Sequence, residues 1–562
     1  MMGKPRAFFF AAVVLLTLAA FTVRAVSLEV QSLWRDEADA MRFATAPLEE
    51  VLSNFARHGW NGPLYFLLLR GWIALTGTSM LALRFFSLFF GVLCVPLVYV
   101  LGRRLFGRSV GLTAALLVAA SPYLTWYSQE VKMYTLVPAL VLLAIYALRR
   151  AVEGGGWYCW AVQIAATSLA LYAHILAAIL IPMQVLIAFA WWPQVRRRWL
   201  GALISLVCLT LPYLPLAAWQ VPLLFDDRVV NLSRQPLDRA LQAVFDSWRA
   251  GNLLMLRTRV TGFGRFTLGQ IVQILLDYWS IGEFGTFGWG WPWGTVLMSV
   301  LGVWGVLSPL TALLCRERLE VGKTLALAIW LAFPPLVVWF VSQWQSLFTD
   351  RYLIWSALPF YLLIAAGLAA LQRLGGGGRW AELLLLGVIL SLNGLNQWQQ
   401  ATTDGKADYR GAAAYLAAHY LAPGEATPTV RPVPSPVVCK GCVFETYLPL
   451  VMCRHQPCEG LIVFQIPYAR YTFDYYFPYQ GYPWAEGLYT NHRYPDDSYV
   501  MSEANAALAM QKITADYDVV WLFATETWMW DERGLVKAWL DAHLHMTDEA
   551  HFKWVDVYRY DR

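Results

Sequence analysis

Apolar runs of about 20 residues recur across positions 1–397, most of them separated by short basic or aromatic gaps, with longer outer segments after the first run to about residue 80 and over 221–290. They lie near 7–26, 82–101, 109–124 and 135–149, twice within 157–192, and near 199–219, 293–314, 324–342, 353–371 and 380–397. This pattern predicts about eleven transmembrane helices. Arginines gather in alternate gaps: Arg103, Arg104 and Arg108; Arg149 and Arg150; Arg196, Arg197 and Arg198; Arg316 and Arg318; Arg373 and Arg379. Such gaps mark the cytoplasmic side, and Lys4 and Arg6 put the start of the chain there too. An odd number of spans then leaves the tail outside. The opening run is long and no small-x-small cleavage site precedes Trp34, so it reads as a retained span.

From Trp398 the periodicity changes. Tyr409 to Tyr420, Ser502 to Lys512 and Glu532 to His543 read as helices. Gly460 to Pro467, Tyr517 to Thr525 and Phe552 to Tyr560 read as strands. The expected organisation is a transmembrane domain over 1–397 and a soluble, extracytoplasmic α/β domain over 398–562.

Composition sharpens this picture. The 562 residues are 58% hydrophobic and 14% charged, which excludes a soluble protein of this length. The net charge of +5 comes from the basic gaps, so topology accounts for it and no nucleic-acid partner is needed. Of eight cysteines, Cys94, Cys159, Cys208 and Cys315 are scattered in or beside spans and read as small core residues. Cys439, Cys442, Cys453 and Cys458 follow a C-x2-C-x10-C-x4-C spacing that suits either zinc or disulfides. An oxidising compartment favours disulfides, with three pairings open.

Candidate chemistry collects at span ends on one side. The carboxylates are Asp36, Glu37 and Glu130; the cations are Arg35, Lys132 and Arg351; His174, Tyr65, Tyr134 and Tyr352 accompany them. A carboxylate that takes a hydroxyl proton, beside cations that neutralise phosphate, is what group transfer from a phosphorylated lipid requires. No phosphate-binding loop, nucleophile elbow, zinc-protease motif or dinucleotide fingerprint offers rival chemistry. Plainer readings stand beside these. Arg84 and Arg103 suit headgroup anchors, His174 a hydrogen-bonded turn residue, Tyr65 and Tyr352 interface aromatics, and Asp350–Arg351 a local charge pair.

The order of motifs resembles the bacterial membrane glycosyltransferases of the GT-C fold, related to protein O-mannosyltransferases and lipid A aminoarabinose transferases. The matching pieces are Trp34-x-Asp36-Glu37, Gly62-Pro63-Leu64-Tyr65, Arg84-Phe85-Phe86-Ser87, Gly102 to Arg108 and Ser121-Pro122. Tyr127-Ser128-Gln129-Glu130-x-x-Met133-Tyr134, Arg351-Tyr352 and Asp408-Tyr409-Arg410-Gly411 continue the series, so the resemblance covers most of 1–420. One departure is Asn61-Gly62-Pro63, where such enzymes usually carry His-Pro-Pro.

The resemblance implies a sugar donor carried on a polyprenyl phosphate, used at the outer face of the bacterial cytoplasmic membrane, and a lipid, glycan or protein acceptor. It implies that Asp36 activates the acceptor or contacts the donor sugar, with Glu37 as its partner, that Glu130 is a further functional acid, and that Lys132 and Arg351 bind the donor phosphate. Tyr65, Tyr134, His174 and Tyr352 are the expected substrate contacts. A divalent metal at Asp36 and Glu37 is an open expectation. The competing function is a transporter or flippase of lipid-linked glycans, which calls for polar or broken helices at mid-membrane. Ionisable groups at the outer span ends favour the transferase.

Overall fold

The computed structural model describes residues 4–55, 61–220, 237–257, 265–287, 292–310, 321–343, 347–420, 451–452, 460–493 and 498–562. Cys315 and the cluster Cys439, Cys442, Cys453 and Cys458 lie outside the described residues. The chain divides into two compact units. The first holds Met1–Leu28, Pro47–Leu75 and Leu81–Thr402; the second holds Glu29–Ala46, Thr76–Met80 and Thr403–Arg562. A boundary read along the sequence at 398 assigned both short insertions to the membrane part.

The first unit is helical, as its apolar runs require, because backbone groups in lipid must be satisfied within the segment. Each of the expected spans overlaps helix. Among the described residues, Ala7–Val26, Met80–Phe106, Val321–Val341, Asp350–Leu374 and Gly378–Thr402 are each long and apolar enough to cross a bilayer. The protein is therefore a multi-pass membrane protein. Arg108–Ala120 and Pro122–Ser128 form a pair bent by 59°, and Ile175–Ala190 and Trp192–Tyr213 one bent by 88°, which brings the number to as many as seven. The expected spans near 135–149, 157–192 and 293–314 also fall on shorter helices, Leu136–Val152, Trp157–Ala173 and Pro292–Leu307, which do not reach that length.

The span Asp350–Leu374 is buried along most of its length and forms the centre of the unit, whereas most of Ala7–Val26 and of Gly378–Thr402 is not buried. A helix apolar on every face belongs inside. Close helix approach there depends on small residues: a Cβ on Gly305 would sit 1.9 Å from Leu363 O.

The 59° break is stapled by a cation. Arg24, fully buried in the helix Lys4–Val26, donates to Val118 O at 3.1 Å, Ala119 O at 3.0 Å and Ser128 Oγ at 3.2 Å. These carbonyls end one helix without an intrahelical partner, so the guanidinium replaces the missing backbone donors. Gln397 Nε2 donates to Ala120 O at 2.9 Å from another helix. Arg84 is also fully buried and donates to Leu28 O at 2.7 Å. It is an internal brace, not a headgroup anchor. Of the scattered cysteines, Cys94 and Cys159 are buried as expected but Cys208 is exposed.

The second unit is built on a five-stranded sheet. Its strands are β2 (Leu461–Phe464), β4 (Trp484–Glu486), β5 (Val519–Thr525), β6 (His545–Phe552) and β7 (Val555–Asp561), in the order β4-β2-β5-β7-β6. β1 (Val451–Met452) pairs separately with β3 (Tyr479–Gln480). β2 runs parallel to both β4 and β5, and β7 runs antiparallel to β5 and β6. Ile462, Phe464, Trp521 and Phe523 pack with Ala412, Leu416 and Phe473 of the helices Tyr409–His419 and Ala469–Tyr476. Leu461, Val463, Val520 and Leu522 point the other way, onto Met510, Val536 and Leu540 of Glu503–Thr514 and Leu535–His543. Helices on both faces explain why β2 and β5 read as unbroken apolar runs rather than alternating ones.

Candidate active site

In the first unit, the loop Gln129–Thr135 joins the helices Pro122–Ser128 and Leu136–Val152 and carries Glu130, Lys132 and Tyr134. Glu130 and Tyr134 are buried and Lys132 is half-buried. The loop is held from below. Thr135 Oγ1 donates to Ser87 O at 2.7 Å, and Ser87 Oγ donates to Lys132 O at 3.1 Å. The Tyr65 hydroxyl meets Ser87 Oγ at 2.9 Å, so Tyr65 is the donor of that bond. Tyr65 is fully buried with its hydroxyl committed to this support. Its geometry suits positioning the loop rather than contact with substrate.

An aromatic chain leads away from the loop. Tyr134 packs edge-on against Tyr127 with centroids 5.4 Å apart and tilts over Tyr352 at 6.5 Å. Tyr352 meets the His174 ring at 4.9 Å. Tyr127 donates to Asp350 Oδ2 at 2.8 Å, and Tyr123 donates to Asp350 O at 3.1 Å. Asp350 opens the 3-10 turn Asp350–Ser356, which also presents Arg351 and Tyr352, all three half-buried. Four of the expected residues, Lys132, Tyr134, His174 and Tyr352, thus lie in one neighbourhood, with Arg351 next to Tyr352 in the same turn. Asp350, Tyr123 and Tyr127 belong to it as well. Tyr127 stands inside a quoted motif and Asp350 beside Arg351, but sequence spacing does not show that the two bond to each other.

His174 ends the helix Trp157–Ala173 and caps the turn Ile175–Ile179 through Nδ1, which accepts from Leu176 N at 3.2 Å. Asn61 Oδ1 accepts from Ile175 N at 3.3 Å. A Cβ on Gly62 would lie 2.1 Å from Tyr172 O, so only glycine lets this strand of chain pass so near. The Asn61-Gly62-Pro63 departure therefore docks on the His174 turn. Burial pushes the His174 imidazole down to about 4, and the nearby Lys132 ammonium acts in the same direction.

The second unit contains Asp36 and Glu37. The helix Arg35–Thr45 starts at Trp34, whose N–H donates to Glu37 Oε2 at 3.0 Å. The same oxygen accepts from Lys406 Nζ at 3.0 Å, with side-chain exposures of 0% for Glu37 and 4% for Lys406, so this pair is closed to solvent. Asp36 is 19% exposed and lies 3.7 Å from Arg35 Nε. Arg35 NH1 also pairs with Glu526 Oε2 at 3.1 Å, and its guanidinium stacks over Tyr468 at 4.7 Å. Glu526 is held at φ 45°, a left-handed conformation unusual for its type.

The stretch before the helix is bound into the same unit. Gln31 Oε1 accepts from Gly405 N at 2.6 Å, Leu33 N donates to Tyr476 OH at 2.7 Å, and Ser32 Oγ accepts from Arg410 N at 3.2 Å. Asp408 in turn caps the helix Tyr409–His419 by accepting from Gly411 N at 2.9 Å. Two distant motifs of the series are thereby parts of one packed body. Lys406 and Glu526 carry no local sequence signal.

Comparison with known proteins fits this architecture. Residues 60–219 match the family described as dolichyl-phosphate-mannose-protein mannosyltransferase. The chain is similar to ArnT from Cupriavidus metallidurans bound to undecaprenyl phosphate, at 12% identity and a TM-score of 0.52, with 97% of each chain covered. It is also similar to the archaeal oligosaccharyltransferase AglB from Archaeoglobus fulgidus in complex with an inhibitory peptide and a dolichol-phosphate. That match has 15% identity and a TM-score of 0.52, covering 99% of this chain and 74% of that one. The chain has the GT-C glycosyltransferase fold. The matched family region holds Tyr65, Glu130, Lys132, Tyr134 and His174, while Asp36, Glu37, Arg351 and Tyr352 lie outside it. A comparison with curated protein sequences gives no match.

A further structure of the Archaeoglobus fulgidus oligosaccharyltransferase, at 15% identity and a TM-score of 0.50, is a complex with Zn and sulfate. In this GT-C chain, no group of three or more His, Cys, Asp or Glu among the described residues could hold a metal ion. The expected site at Asp36 and Glu37 fits a divalent ion poorly. Glu37 Oε2 already serves a buried ammonium and a backbone N–H, and a dication beside Lys406 would be repelled.

Proposed function

We propose that this protein transfers a hexose or pentose from a polyprenyl-phosphate-linked donor to an acceptor hydroxyl at the outer face of the bacterial cytoplasmic membrane. The observation that carries this reading is the fold shared over 97% of both chains with a protein solved with undecaprenyl phosphate bound. The cationic and aromatic surroundings of His174 and Tyr352 in the first unit support it.

In this reading Lys132 and Arg351 neutralise the donor phosphate, with Tyr134, His174 and Tyr352 shaping its site. The acceptor oxygen attacks the anomeric carbon as the carbon–oxygen bond to phosphate breaks. Polyprenyl phosphate leaves with the bonding electrons, and the acceptor proton passes to the Asp36 carboxylate. One in-line displacement inverts the anomeric centre. Glu37 orients the start of the Asp36 helix, and Glu130 is a further acid of the first unit.

The test is transfer by the full chain in detergent, using synthetic undecaprenyl-phosphate sugars and lipid and glycan extracts from a deletion strain. Release of undecaprenyl phosphate with an inverted product supports the reading. Movement of an intact lipid-linked glycan across proteoliposomes, with no donor cleavage, would replace it with the flippase.

A further inference from the structure

The His174 ring presents an unusual hydrogen-bond inventory. Its Nδ1 accepts from the backbone N–H of Leu176 at 3.2 Å. A backbone N–H can only donate, so Nδ1 carries a lone pair, and a neutral imidazole in this setting has its proton on Nε2. That Nε2 is buried and has no hydrogen-bond partner among the described residues, and the whole residue is only 5% exposed. A buried donor left unsatisfied is costly, and a folded chain tolerates that cost where a ligand supplies the missing acceptor.

The surroundings define the acceptor. The Tyr352 ring lies 4.9 Å from the imidazole, and the Lys132 ammonium is close enough to disfavour a second positive charge on it. A cation that repels imidazolium attracts an anionic oxygen. Neutrality is supported by burial, which holds the imidazole near 4. The ring is also fixed in orientation, because Ile175 N is bonded to Asn61 and Leu176 N to the ring itself.

We infer that His174 is a neutral Nε2–H donor reserved for an anionic phosphate oxygen of the polyprenyl-phosphate ligand. This rests on the proposed function for the identity of the ligand, while the tautomer follows from the geometry alone. His174 takes no proton in the reaction; it binds, and its Nδ1 keeps the binding nitrogen pointed.

Two substitutions separate the cap from the donor. His174→Asn keeps a short acceptor able to cap Leu176 N but provides no donor at the Nε2 position. His174→Gln places an amide N–H near that position. The probe is undecaprenyl phosphate binding to the full chain in detergent, with undecaprenol as the uncharged control. His174→Asn should unfold at the wild-type temperature and bind undecaprenyl phosphate about 10- to 100-fold more weakly, with undecaprenol unaffected; His174→Gln should stay within about 5-fold of wild type. In ¹⁵N-histidine spectra, His174 should show a protonated Nε2 and a bare Nδ1, and the Nε2 signal should move on adding undecaprenyl phosphate.

A proton on Nδ1, titration of His174 near the ordinary 6.5, or wild-type affinity in His174→Asn would each overturn the inference. If wild type binds the lipid with His174 as described but transfers no sugar, the transferase reading fails and the inference stands. If transfer proceeds while His174→Asn binds as wild type does, the inference fails and the transferase reading stands.

Discussion

Glu37 offers the sharpest separation between a catalytic and a structural acid. Its carboxylate is wholly buried, and one oxygen accepts from both Lys406 Nζ and Trp34 N at 3.0 Å. Glu37→Gln retains an oxygen for the Trp34 N–H but removes the carboxylate charge that faces the buried Lys406 ammonium. Breaking such a pair from one side costs about 3–5 kcal/mol, mostly the desolvation of the charge that remains. For a domain of about 150–250 residues, each kcal/mol moves the midpoint by roughly 2–4 °C, so the second unit should melt about 6–20 °C lower. Lys406→Met should cost a similar amount, and Glu37→Gln combined with Lys406→Met should recover most of the loss, because both charges of the buried pair are then removed together. The assay is thermal unfolding of the full chain in detergent, with hydrogen exchange across 403–420 to report the second unit. If Glu37→Gln melts at the wild-type temperature yet loses turnover by about 10²-fold, Glu37 acts in the reaction and its structural role is refuted.

Asp36→Asn, by contrast, alters a partly exposed carboxylate that lies 3.7 Å from Arg35 Nε; it should leave stability unchanged and lower transfer by about 10²-fold, read from release of undecaprenyl phosphate. Arg351→Ala should weaken undecaprenyl phosphate binding by about 2–4 kcal/mol and Arg351→Lys by less, since lysine replaces a fork with a point charge; equal affinities in all three proteins would make Arg351 structural. Arg24→Leu should strip the donors from Val118 O and Ala119 O and lower the melting point of the first unit, and a wild-type melting point would show that the helix break does not need its staple. His551 is bonded to Asp556, which with Glu549 raises its pKa above the ordinary 6.5. Its contribution to the second unit is therefore complete below about 6.5 and fades as pH rises through the higher folded value; a ¹⁵N-histidine titration giving 6.5 or less would contradict this.

Local patterning settled much about this protein. Hydropathy placed a helix at every expected span, because burial of backbone in lipid leaves a continuous apolar stretch little alternative. Alternation and turn residues located the helices Tyr409–His419 and Glu503–Thr514 and the strands β2, β5 and β7 in the tail. β6, with the solvent-facing stretch His545–Phe552, was missed because its residues are mostly polar and its pairing with β7 supplies the reason to be a strand. The order of short motifs pointed to the GT-C fold before any packing was known.

The tertiary structure decided which of those motifs share a body. Glu37 meets Lys406 across 369 positions, and Tyr127 meets Asp350 across 223. Periodicity reports which face of an element is buried and says nothing of what it is buried against. That is why Trp34-x-Asp36-Glu37 read as the exit of the first span, whereas Glu37 is bonded to Lys406, and Gln31, Ser32 and Leu33 just before the motif are bonded to Thr403, Gly405, Arg410 and Tyr476. It is also why Tyr65 read as a substrate contact although Ser87 takes its hydroxyl, and why Arg84 read as an anchor although Leu28 O holds it inside. A charge or hydroxyl acquires its role from the partner that folding brings to it, and that partner is set by the packing of distant segments.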